Sequence, residues 1–198
     1  MDDHGTTPLH RAAQSGHIEI VKCIIQCIKD KNPRDSRGIT PLHYAAQSDY
    51  LDIYKMISQD LALKNPPSDT GHTPLHSAVM LEQIETVRYI LKVADDENLN
   101  TWSSMSPLHW AAMVGHLDIF IILTERLTNK SPSTNHGNKP MHFAAQYGKY
   151  DICKFIIETG EDPNPFTNDG TSVLDLASTE EIRHLIRQKL KEDNTQSV

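Results

Sequence analysis

The sequence predicts an all-α solenoid of six helix-turn-helix units with hairpin-like connectors. The length of 198 residues is six times 33, and one motif returns every 33 residues with no insertion between its copies. A second apolar stretch with helical spacing follows the motif. Repetition at a fixed period of roughly 20 to 50 residues is typical of structural units that stack on their neighbours.

The repeated motif is centred on an apolar residue that recurs at constant spacing. Its six positions are Leu9, Leu42, Leu75, Leu108, Met141 and Leu174. In the first five copies a proline precedes this residue, a histidine follows it, and two small residues come next in phase. A glycine opens every copy except the fourth, where Ser104 takes its place. Five almost complete copies of G-x-T-P-L-H-x-A-A establish an internal repeat.

Local chemistry explains why each copy forms two helices. The threonine or serine before the proline suits an N-cap, and proline fits the first helical position because its missing N–H has no partner there. A glycine such as Gly16 or Gly115 can end the short first helix in a left-handed conformation. The second helix has apolar residues at helical spacing, which in the first copy are Ile18, Val21, Ile24 and Ile25.

Two units lack the glycine between their helices. Asp49 and Glu82 stand at that position in the second and third units. Aspartate tolerates a left-handed backbone moderately and glutamate tolerates it poorly. We therefore expect local backbone strain in these two units.

Through this motif the chain resembles the ankyrin-repeat family over essentially its whole length. The resemblance implies a single domain, residues 1–198, whose connectors project as β-hairpin fingers. It also implies that the fingers and the first helices form a concave face. The expected units are about 2–34, 35–67, 68–100, 101–133, 134–166 and 167–198, the last being a C-terminal cap.

An asparagine recurs in the connectors, and the fourth unit departs from this pattern with Ser131. The resemblance makes these asparagines candidates for hydroxylation by an oxygen-sensing hydroxylase, although a structural role in satisfying backbone groups is the favoured interpretation. Proline-containing runs at 65–67 and 129–132 predict irregular fingers. The four candidate asparagines are Asn32, Asn65, Asn98 and Asn164.

The two ends of the repeat array differ. The sixth unit has Asp175 in place of the histidine and a basic last helix, and a polar outer face is what a terminal cap requires. The first unit looks like an internal one. We expect either further chain before it or a minimal cap around Arg11.

Composition excludes several classes of function. The net charge of −7 and the pI of 5.8 oppose nucleic-acid or anionic-lipid binding, and the longest apolar run is far shorter than a membrane span. The N-terminus lacks the pattern of a signal peptide, so we expect an intracellular protein, cytoplasmic or nuclear. Of the three cysteines, Cys23 and Cys27 are interpreted as buried small hydrophobes. The motif histidines are interpreted as structural, and we expect no enzyme activity, metal or cofactor.

A partner-binding surface is predicted from the positions that the repeat itself does not need. These positions flank the opening glycine and end the first helix, and in the middle units they are apolar or aromatic, as in interface hot spots. The alternative is that these side chains pack as core under the fingers, Trp110 first among them. The predicted contact residues are Met80, Leu81, Trp102, Met105, Trp110, Met113, Val114 and Tyr147.

The sequence therefore predicts a protein–protein interaction module that binds a partner protein or peptide on its concave face. The first hypothesis is a recruitment or scaffold domain of a larger intracellular protein. The alternative is a stand-alone inhibitor that masks a functional surface of its partner. Recognition of a small ligand or of nucleic acid is disfavoured by the acidic charge balance.

Overall fold

The fold was analysed in a computed structural model that describes residues 3–94 and 104–196, the latter range without the side chains of residues 194 and 196. The chain forms two compact units, Met1–Trp102 and Ser103–Val198, which we call the N-terminal and C-terminal halves. Within the described residues no helix has both the length and the apolar composition that crossing a membrane demands.

The N-terminal half contains three pairs of helices in chain order. Each pair has a short first helix and a second helix packed against it, and the first helices also pack on one another. This arrangement confirms the predicted all-α repeat architecture. The helices are α1 (Pro8–Gln14), α2 (Ile18–Cys27), α3 (Pro41–Gln47), α4 (Leu51–Ser58), α5 (Pro74–Met80) and α6 (Ile84–Val93).

The C-terminal half has the same construction, and its last helix is the longest. The one β-pairing among its described residues is an isolated antiparallel bridge between Phe166 and Ser172. The helices are α7 (Pro107–Val114), α8 (Leu117–Arg126), α9 (Pro140–Gln146), α10 (Tyr150–Glu158), α11 (Val173–Leu176) and α12 (Glu180–Gln196).

The motif residues explain the close packing of the first helices. The central leucine is buried in each of the first four copies, and the small residues that follow, such as Ala45 and Ala46, are fully buried. Small side chains let α1, α3 and α5 approach closely, as they do α7 and α9. On the second helices one position is buried in every copy, namely Val21, Tyr54, Val87, Phe120, Cys153 and Ile186.

The connector asparagine ties three of the connectors to the following first helix. The Oδ1 atoms of Asn32, Asn65 and Asn164 accept the backbone N–H ten residues later, at 3.2, 2.9 and 2.8 Å. These N–H groups lie in the first helical turn, where no backbone carbonyl can reach them. In the fourth repeat Ser131 has too short a side chain for this role, and it lines a cavity of 220 Å³ between α8, α10 and the connector.

The prediction that Cys23 and Cys27 are buried is wrong for both residues. Cys153 is buried, and burial raises the pKa of its thiol to about 12, but Cys23 and Cys27 are exposed on α2. Both lie on a face of α2 that no other described helix covers. Their spacing of four residues placed them on one helix, as the structure shows, but did not reveal that this side of the helix is open.

The backbone at the two positions without an interhelix glycine is left-handed, as expected. Asp49 has φ = 57° and Glu82 has φ = 59°, close to the value of 74° at Gly16. A Cβ atom in this conformation costs roughly 1 to 2 kcal/mol. Ser104, which replaces an opening glycine, is left-handed too, with φ = 60°.

We predict that Glu82→Gly is more stable than Glu82→Ala by about 1 kcal/mol, because only glycine relieves the strain at positive φ. The alanine variant is the matched control, since it removes the carboxylate and keeps Cβ. Urea unfolding followed by circular dichroism measures both free energies of unfolding. Equal stabilities would contradict the proposed strain.

We also predict that Ser131→Asn raises the free energy of unfolding by about 1 kcal/mol, by supplying a hydrogen-bond acceptor for the N–H of Met141. Ser131→Ala, which cannot accept a hydrogen bond, should not stabilise the protein. The same unfolding experiment applies. An asparagine variant no more stable than the alanine variant would refute this account of the connector.

Candidate functional site

Each described finger is a five-residue turn closed by the same two hydrogen bonds. The backbone N–H of the first residue donates to the carbonyl of the fifth, and a side-chain oxygen of the first residue accepts the N–H of the fifth. The irregular turns expected after 65–67 and 129–132 are therefore not found. The backbone distances are 2.8 Å for Asp35 to Ile39, 2.7 Å for Ser68 to His72, 2.9 Å for Thr134 to Asn138 and 2.9 Å for Thr167 to Thr171.

Neighbouring fingers within a half are joined through their backbones. The N–H of Ser36 donates to the carbonyl of His4 at 2.9 Å, and the N–H of Asp69 donates to that of Arg37 at 3.0 Å. In the C-terminal half the N–H of Asn168 donates to the carbonyl of His136 at 2.9 Å. These bonds hold adjacent finger tips side by side and so set the distance between their backbones.

The motif histidine links the first helix to the next finger in the first, second and fourth repeats. In the second repeat Nδ1 of His43 accepts the N–H of Thr40 at 3.1 Å, which places the ring proton on Nε2. Nε2 then donates to the carbonyl of His72 at 3.0 Å. The same two-sided arrangement holds for His10 with Ile39 and for His109 with Asn138.

The chemistry of these histidines is structural. Burial lowers the pKa of His43 and of His109 to about 4, so both rings are neutral at pH 7. Their nitrogens are engaged with backbone groups of the fold. Over residues 3–94 and 104–196 there is also no group of three or more histidine, cysteine or acidic side chains placed to hold a metal ion.

In the N-terminal half the predicted contact residues lie at the end of α5. Met80 is half-buried, and Leu81, directly after the helix, is 47% exposed. Neither is part of the core. Trp102 lies outside the described residues.

In the C-terminal half the predicted residues surround α7 and the end of α9. Tyr147 is 52% exposed, and Met105, Trp110, Met113 and Val114 are half-buried. The indole nitrogen of Trp110 is itself buried, so this ring is seated more deeply than its average exposure indicates. We call the exposed side chains of the fingers and of the first-helix ends in each half its finger–helix face.

At one position on this face, four repeats have the same backbone conformation but very different side chains. Ser15, Ser48, Leu81 and Tyr147 each follow the last residue of a first helix, with φ near −100° and ψ near 10°. In the first two repeats serine adopts this backbone conformation, so the fold does not need a large side chain here. The large apolar side chains of Leu81 and Tyr147 are not required by the fold there.

An open cleft beside α9 was not predicted from the sequence. It has a volume of about 390 Å³ and lies in the C-terminal half between two fingers and α9, with Phe143 and Leu176 on its apolar side and His136, Asn138 and Asn168 on its polar side. Phe143 occupies the same motif position as Trp110, directly after the histidine. That phase relation was the signal that could have identified it.

The candidate asparagines have a structural role wherever they are described. Asn65 is 2% exposed, Asn32 and Asn164 are half-buried, and all three hold the following helix through Oδ1. Asn98 lies outside the described residues. Hydroxylation at these four positions stays a prediction, and at Asn65 it would require local opening.

We predict that stability falls as the pH is lowered from 6.5 to 4. The unfolded histidines, with a pKa near 6.5, bind protons in this window while His43 and His109 in the native state do not, at a cost on the order of 3 kcal/mol each. Hydrogen bonding from Ser172 lowers the pKa of Asp175, so this carboxylate affects stability only below about pH 4. His109→Gln should reduce the slope of unfolding free energy against pH between 6.5 and 4, and an unchanged slope would contradict the assignment.

Comparison with known proteins agrees with the repeat geometry. A family model described as ankyrin repeats, in three copies, matches residues 1–65, 57–135 and 94–167. A search of curated proteins finds no significant match. Because the matched residues extend over 1–167, and the structure has the corresponding helix pairs, the chain belongs to the ankyrin-repeat family.

Proposed function

We propose that this chain is a recruitment or scaffold module of a larger intracellular protein and that it binds a partner protein on its finger–helix faces. Ankyrin repeats are generally protein–protein interaction modules. Here the binding surface is the finger–helix face of each half, and the contact is an apolar centre with a polar rim.

The observation that carries the proposal is the difference between Leu81 or Tyr147 and the serines at the same position. Exposed apolar area is unfavourable in water, and the fold accepts serine at this position in Ser15 and Ser48. A leucine and a tyrosine that are each about half exposed therefore point to a use outside the fold. Aromatic and large apolar anchors of this kind dominate the energy of protein interfaces.

The neighbouring side chains support an apolar contact with a polar rim in each half. Met80 in the N-terminal half, and Met105 and Met113 in the C-terminal half, add flexible side chains that adapt to a partner. Polar finger residues such as His136 and Asn168 border the apolar groups. This combination of apolar centre and polar border is typical of specific protein interfaces.

Trp110 and Val114 take part in a different way. Both are half-buried, so they present less surface than Tyr147 and support the contact mainly by fixing the shape of the face. We include Trp102 in the proposal on its sequence position alone.

We predict that the double variant Leu81→Ser/Tyr147→Ser binds its partner at least ~10-fold more weakly, because burial of one such side chain contributes about 1.5 to 3 kcal/mol. Its free energy of unfolding should change by less than about 1 kcal/mol, since serine occupies the same position in two repeats. Quantitative mass spectrometry of proteins retained by immobilised wild type and variant identifies the partner, and calorimetry then measures both affinities.

The matched control is Leu63→Ser. Leu63 is 53% exposed but lies in the chain between α4 and the finger at 68–72, so it belongs neither to a finger nor to a first-helix end. The Leu63→Ser variant should bind the partner with the same affinity as the wild type. A partner retained equally by the double variant would contradict the assigned face, and failure of the wild type to bind any protein saturably would contradict the function itself. Loss of the partner's own activity in the complex would favour the inhibitor alternative over a scaffold.

A further inference from the structure

The second helix of the first repeat carries an exposed apolar stripe. Ile20, Cys23, Ile24 and Cys27 follow the i, i+3, i+4, i+7 spacing that places side chains on one face of a helix. Ile20 is 51% exposed, both cysteines are exposed, and Ile24 is half-buried. No charged residue interrupts the stripe.

The positions equivalent to Ile20 and Ile24 are packing surfaces in the later repeats, whereas those equivalent to Cys27, such as Asp60 and Arg126, are exposed. The counterparts of Ile20, at successive intervals of 33 residues, are Ile53, Thr86, Ile119 and Ile152, and each is at most 2% exposed. The counterparts of Ile24 include Ile57, Ile90 and Leu123, which are fully buried. At Ile20 and Ile24, α2 therefore leaves open the two positions that the later repeats bury.

The later helices also identify what covers this face. α4 packs on α2, α6 on α4 and α10 on α8, so in each case a second helix lies against a second helix. Tyr89, the counterpart of Cys23, meets Tyr54 of the preceding repeat edge to face, with ring centroids 6.0 Å apart. Phe155 meets Phe120 in the same way. A helix with an apolar stripe is therefore the occupant that this surface fits.

The sizes of the side chains on α2 distinguish its stripe from the others. Where later repeats have Met56, Tyr89, Ile122 and Phe155, the first repeat has the small Cys23. Along α2 large and small residues alternate. If two α2 helices pack antiparallel about a two-fold axis near residues 23 and 24, each Ile20 lies opposite Cys27 of the second copy and each Ile24 lies opposite Cys23. Large residues then meet small ones at every layer.

Charge does not oppose this arrangement. Glu19 and Lys22, which flank the stripe, are joined to each other by an ion pair of 2.7 Å within the helix. A two-fold contact brings identical surfaces together, so an uncharged, size-complementary stripe is suited to it.

We propose that two copies of this chain associate through the exposed α2 stripe, with the two α2 helices antiparallel. The contact is independent of the finger–helix faces, because α2 is a second helix and the stripe lies on no finger. A dimer formed in this way presents two copies of each finger–helix face.

Sedimentation equilibrium of the chain over a range of concentrations tests the association. We expect a reversible dimer, and Ile20→Glu should weaken it at least ~10-fold because it places a charge at the centre of an apolar contact. Since Ile20 is half exposed, the variant should fold, which circular dichroism checks. Leu63→Glu is the matched control and should dimerise like the wild type. A wild type that is monomeric throughout, or a dimer that Ile20→Glu leaves intact, would overturn the proposal.

Cysteine cross-linking tests the antiparallel geometry separately. The two Cys23 residues lie next to the proposed two-fold axis, whereas the two Cys27 residues lie about 10 Å apart along the helix direction, at 1.5 Å per residue. A disulfide requires Cα atoms no more than about 7 Å apart. With diamide as the oxidant, Cys27→Ser should form a covalent dimer through Cys23, and Cys23→Ser should form much less. The reverse pattern would refute the antiparallel arrangement.

Discussion

The two-sided hydrogen bonding of the motif histidine is the interaction on which the rest of the structure depends. One ring nitrogen accepts the N–H of the helix cap in its own repeat, and the other donates to a finger carbonyl 29 residues later. A single neutral ring therefore joins the start of a helix to the next repeat. An imidazolium could not do this, because its Nδ1–H would face another N–H donor.

Because these hydrogen bonds hold the repeated backbone together, the side chains on the finger–helix faces can differ from repeat to repeat. The backbone bonds of the fingers, the histidine and the connector asparagine satisfy polar groups without using the side chains at the finger tips or at the ends of the first helices. Those side chains can change freely between repeats. The position after the first helix illustrates this, with serine twice and then leucine and tyrosine on the same backbone.

Much of the fold could be predicted from the sequence, since each residue of the motif has a local role. The left-handed backbone at Asp49 and Glu82 followed from their phase alone. Two features could not be predicted in this way. The turns at 68–72 and 134–138 are regular because a serine or threonine hydroxyl oxygen accepts the hydrogen bond that an aspartate oxygen accepts in the finger at 35–39. Different residue types therefore supply the same acceptor, which a comparison of residue names does not reveal. The exposure of Cys23 depends on which elements pack beside α2. The residue pattern within one helix carries no information about that.

The order of contacts in the fold has a consequence for synthesis of the protein. The main packing contacts of the helices join elements of the same or adjacent repeats. A repeat can therefore fold onto its predecessor as the chain leaves the ribosome, without waiting for distant segments. The α2 surface is complete once the first two repeats have emerged, before the later repeats are made. Neighbouring ribosomes on one messenger RNA would present this surface in high local concentration before either chain is finished.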